Sequence, residues 1–208
     1  MIDGHIHYAD SLEAERLRYI IEAYGLSGVA LQCIPKGGKI PVEEDAFSFK
    51  RQSSVPVYIF GGLDRRIFSL SSGRMAEALP SEIDRLMTMG CDGIKMLDGK
   101  PGVRRRQNLR LDAPNYDKMF DYAQRTQFPI LYHINDPIEF WYRDRLPQWA
   151  VEKDFFYGDG TFPHKFEIDE ETFGFLRKHP NLNLCIPHFF FISDQPGLCC
   201  EMLDRYPN

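Results

Sequence analysis

The sequence has no excess of positive charge. Its 25 Lys and Arg stand against 30 Asp and Glu, a formal net charge of −5. The one basic block, Arg104-Arg105-Arg106, is too short for a nucleic-acid footprint and reads as a solvated loop, with anion binding, such as holding a substrate carboxylate, as the alternative. No apolar run approaches the roughly 18–20 residues needed to span a membrane. Neither a charged n-region nor a long apolar h-region opens the chain, so no secretory leader is expected. No CxxC occurs, and the five cysteines are an odd number. Cys33, Cys91 and Cys185 sit in or beside apolar runs, where a free thiol behaves as a small hydrophobe. A reducing, cytoplasmic setting without a disulfide framework follows. No glycine-rich turn follows the first strand-like run, which counts against a dinucleotide-binding sheet.

What is present is an alternation. The chain has 208 residues, of which 43% are hydrophobic, enough for one domain with a substantial core. "MIDGHIH" reads as a strand. In the helix-like run behind it, Asp10 and Glu13 resemble a capping box, and Gly25 is the stop. Strand-like runs recur at 28–34, 55–63, 91–97, 128–136 and 181–191; helical periodicity recurs at 80–90, 115–126 and 169–180. The near-continuous apolarity of "GVALQCI" marks a strand buried on both faces. This order predicts a parallel sheet with helical crossovers. The expected class is α/β, a (β/α)8 barrel seen for about six βα units of a fold that typically needs ~250 residues. Residues 137–168 are aromatic and irregular, and predict a lid-like insertion.

Four of the six histidines fall at or near strand C-terminal ends: His5 and His7, then His133 in "LYHIND" and His188 in "IPHFF". In a parallel α/β fold those ends converge on one face. Any one such imidazole is unremarkable; four at equivalent topological positions suggest a chelate for zinc or a related divalent ion. Lys95, inside the apolar run "GIKML", either points into the barrel mouth or snorkels to solvent. Asp136 and Asp194 follow two of the strands and either orient a histidine or cap the next element. His164 and His179 are read as loop and helix-end surface residues.

These stretches, "IDGHIH", "GIKM", "LYHINDP", "FYGDGTFP", "PHFFF" and "LDRYPN", resemble the metal-dependent amidohydrolase superfamily. The likeness runs over nearly the whole chain, and is greatest to the amidohydrolase family 2 branch that includes aminocarboxymuconate-semialdehyde-type decarboxylases. The resemblance implies a distorted (β/α)8 barrel with His5, His7 and His133 as metal ligands. Zinc is the first choice of ion, with manganese or iron as alternatives. His188 would lie beside the reacting groups, and Lys95 falls where some relatives carry a modified lysine. The implied activity is hydrolysis of a small carbonyl compound, an amide or lactone, by a metal-activated water, with His188 and Lys95 as catalytic groups. The alternatives are non-oxidative decarboxylation of an aromatic or unsaturated acid, and a non-catalytic remnant. The family's Asp at the end of strand eight has no counterpart here; the expectation is that strands seven and eight lie outside this chain. An unclosed sheet predicts association, as a homo-oligomer or with a part that completes it. The expected partner is a small-molecule substrate, not nucleic acid or membrane.

Overall fold

The computed structural model describes residues 1–34 and 43–206. Pro207 and Asn208, the last residues of the "LDRYPN" stretch, lie outside the described residues. Six strands pair in chain order into one parallel sheet: β1 (Ile2–Tyr8), β2 (Gly28–Cys33), β3 (Val57–Gly62), β4 (Gly93–Gly99), β5 (Ile130–Ile134) and β6 (Leu184–Cys185). The helices are α1 (Ala14–Ala23), α2 (Glu43–Gln52), α3 (Ser72–Met89), α4 (Pro101–Gln107), α5 (Pro114–Thr126), α6 (Gln148–Glu152), α7 (Lys165–Lys178) and α8 (Pro196–Arg205). Parallel neighbours cannot be joined by a tight turn, so a crossover must intervene each time.

Local chemistry accounts for the element ends. The Asp10 carboxylate accepts the Leu12 N–H at 3.0 Å and turns the chain into a short 3-10 segment ahead of α1. All six residues of β2 are buried, as its apolarity predicts. The helix expected at 80–90 in fact begins at Ser72 and carries Pro80 inside it. An internal proline costs roughly 3 kcal/mol. Leu79, Ile83 and Leu86 are fully buried along the same face, at about 1.5–3 kcal/mol each, and outweigh it. The run at 181–191 shortens to a two-residue strand. Pro187 and a left-handed turn at His188–Phe191 (φ 51–63°) end it.

Alternation divides the sheet into two faces. Tyr8, Val29, Leu31, Val57, Ile59, Ile94, Met96, Ile130 and Tyr132 are buried in the main core under the helices. His5, His7, Gln32, Lys95 and His133 take the opposite parity. That second face is concave. In a flat sheet, β1 and β6 would lie five spacings apart, about 24 Å at ~4.8 Å each. Here the His5 ring centroid is 5.0 Å from that of His188, just past β6. The sheet therefore curls into the larger part of a (β/α) barrel. At its mouth β4 and β5 approach so closely that a Cβ on Gly99 would lie 2.9 Å from the His133 carbonyl oxygen; only glycine fits there.

Segment 137–163 is not a bare loop. Phe140, Trp141, Ala150 and Tyr157 form a small apolar cluster separate from the main core. Trp149, on the same segment, is half exposed. Among the described residues, no helix is long and apolar enough to cross a membrane.

Candidate metal centre on the concave face

The concave face gathers the histidines. His5 lies 5.1 Å from His7 and 5.0 Å from His188 between ring centroids, and His133 lies 5.3 Å from His188. His188 is brought there by the left-handed turn rather than by a strand, which corrects its expected place at the end of β6. Four consecutive non-glycine residues with positive φ cost on the order of 1–2 kcal/mol each. Such strain is held where surrounding packing dictates it; Phe191 packs against both His133 and His188.

Lys95 points into this face. It is buried, and its Nζ lies 3.0 Å from His5 Nε2. Burial pushes its ammonium down to about 7. Burial and the Lys95 charge together lower His5 to about 3 and His7 to about 4. His188 moves down as well, through burial and the neighbouring His133. At neutral pH these rings are neutral and offer nitrogen lone pairs.

Asp136 stands behind His133. Its Oδ1 is 3.4 Å from His133 Nε2, and its Oδ2 accepts the Tyr157 hydroxyl at 2.8 Å. Asp136 thus takes the orienting role of the two foreseen, and Tyr157 ties the aromatic insertion to the histidines. Asp194 makes no such contact. With Nε2 facing Asp136, His133 has Nδ1 left for a ligand, an arrangement that metal-binding histidines share.

By chemistry the donors fit a divalent ion: imidazoles converging from β1, β5 and the turn after β6, one of them backed by a carboxylate. Among the described residues, however, no three His, Cys, Asp or Glu side chains are grouped closely enough to hold an ion as they stand.

Several residues fall elsewhere than expected. Arg104, Arg105 and Arg106 lie on α4, not in a solvated loop. Arg104 forks onto buried Glu171 at 3.0–3.2 Å, and Arg105 covers the Phe162 ring at 3.9 Å. His179 is buried between Asp117 and Asp121, not on the surface. His164 caps α7 in a capping box with Glu167. Lys100, missed in the sequence, begins α4 at the barrel mouth with its Nζ 3.9 Å from Asp136 Oδ2. The signal was available: it follows strand four as Asp136 follows strand five and His188 strand six.

Comparison with solved structures adds the architecture. Two structures of 2,6-dihydroxybenzoate decarboxylase, one from Rhizobium and one complexed with 2,6-dihydroxybenzoate, superpose with a TM-score of 0.55 each. The match covers 98% of this chain and 69% of each of those, at 17% identity. The fold is shared. No family model matches the chain, and no curated protein matches it. At this identity the likeness is one of backbone, and the strands that carry His5, His7, Lys95 and His133 belong to the fold in common.

Proposed function

We propose that the chain carries the metal site of an amidohydrolase-superfamily enzyme that decarboxylates a small aromatic or unsaturated acid. The observation that supports this is the convergence of His5, His7, His133 and His188 with Lys95 on the concave face of a fold that known decarboxylases share. In this reading His5, His7 and His133 hold the ion, zinc first, with manganese or iron as alternatives. The ion supplies Lewis acidity toward a substrate oxygen.

The protein groups do the rest. Lys95, whose ammonium burial holds below its ordinary range, is the proton donor. Its proton forms the new C–H bond at the carbon bearing the carboxylate. The C–C bond to that carboxylate breaks, its electron pair stays on the ring, and carbon dioxide leaves. Water returns the proton to Lys95. His188 orients the substrate oxygen nearest the reacting carbon, and the segment behind Tyr157 excludes bulk water.

The test incubates metal-reconstituted protein with hydroxybenzoates in D2O. Carbon dioxide release, with one deuterium at the former carboxyl carbon, is the expected result. Cleavage of amides or lactones without carbon dioxide would restore the hydrolase reading. Turnover of neither class would leave the remnant reading standing.

A further inference from the structure

We propose that Lys100 is the specificity-determining cation of this site, the group that holds the carboxylate of an anionic substrate. The inference rests on the acid-substrate reading above and adds the residue that selects for it. Lys100 follows β4 directly and starts α4, so it stands on the rim over the histidines. Its side chain is only 31% exposed, yet the nearest acid oxygen is 3.9 Å away, beyond hydrogen-bond reach. An ammonium has three protons to donate, and among the described residues none of them makes a hydrogen bond.

Asp136 does not satisfy it. Both Asp136 oxygens are turned to other partners, Oδ1 to His133 and Oδ2 to the Tyr157 hydroxyl. Lys100 instead rests over the Phe155 ring at 4.8 Å. It stands one carboxylate away from the histidines: Asp136, 3.9 Å from its Nζ, reaches His133 Nε2 at 3.4 Å with its other oxygen. Two of the three arginines of α4 are engaged elsewhere: Arg104 is held by Glu171, and Arg105 by Thr161 and Phe162. Lys100, at the start of this helix and beside the Asp136–His133 pair, is thus a cation with donors left for a ligand. Phe155 beneath it and Phe191 against His133 and His188 supply flat apolar surface. The combination suits a planar ring bearing one carboxylate.

The experiment compares benzoate with its neutral isostere benzamide, titrated by calorimetry into wild type, K100M and K100R at equal measured metal content. Wild type is expected to prefer benzoate. K100M should lose about tenfold or more in benzoate affinity, the worth of a charge-assisted hydrogen bond, with benzamide unchanged; K100R should keep the preference. Among the described residues Lys100 makes only the long ion pair with Asp136 and the ring contact with Phe155, both weak, so K100M should melt close to the wild type. Equal benzoate affinity in K100M and wild type, or no preference in wild type, would overturn the assignment. The function reading fails separately, by absence of carbon dioxide from wild type.

Discussion

Removing Glu171 should unfasten the helix that carries Lys100. Glu171 is completely buried on α7. It accepts two bonds from Arg104 Nε and one from Nη2, all at 3.0–3.2 Å, and the Leu111 N–H at 2.9 Å. The Arg104 side chain is only 11% exposed. Glu171→Ala leaves that guanidinium buried without a counter-charge, which costs about 3–5 kcal/mol. For a chain of this size that is a fall in Tm of roughly 6–20 °C. The double variant Arg104→Met/Glu171→Met removes both charges and should recover most of the loss, because an apolar pair of similar volume is often neutral or better. Urea titrations of wild type, both single variants and the double variant measure the coupling. A loss below about 1 kcal/mol in Glu171→Ala, or strict additivity in the double variant, would refute the reasoning.

Two further outcomes follow from the site. Tyr157→Phe deletes the 2.8 Å bond to buried Asp136, worth about 1.5–3 kcal/mol for a charged acceptor; hydrogen exchange should rise across 138–163 while β2 and β3 stay protected, and uniform exchange would argue against a local tie. His5 and His7 have folded-state values of about 3 and about 4, below the ordinary 6.5. The native state then binds fewer protons than the unfolded chain, so their contribution is full above pH 6.5 and is lost as pH falls toward 4. Urea midpoints of wild type should fall faster over that window than those of His5→Gln/His7→Gln; parallel curves would contradict it.

The parts of the fold set by local pattern were readable. The apolar runs of β2 and β5, the stop at Gly25 and the helix of α5 depend on periodicity and caps, and they lie within a few residues of where the sequence puts them. The parts set by distant contacts were not. Pro80 looks like a helix start until Leu79 and Met75 are seen buried on the same face as Ile83. Residues 181–191 look like one long strand until the left-handed turn at His188 is seen. The arginine run looks solvated because its partner Glu171 is 67 residues from Arg104. Of the site, the histidines were legible because strand ends in a parallel fold must converge. The tie from Tyr157 to Asp136 was not, since it joins the insertion to the strands through space.

The central claim is that the converged histidines bind a metal ion, and elemental mass spectrometry tests it most directly. The measurement takes zinc-reconstituted wild type, His5→Ala/His7→Ala and His133→Ala after removal of free ion. The account predicts about one equivalent of divalent metal in wild type, lost in both variants. No metal in wild type, or the same content in all three, would contradict it.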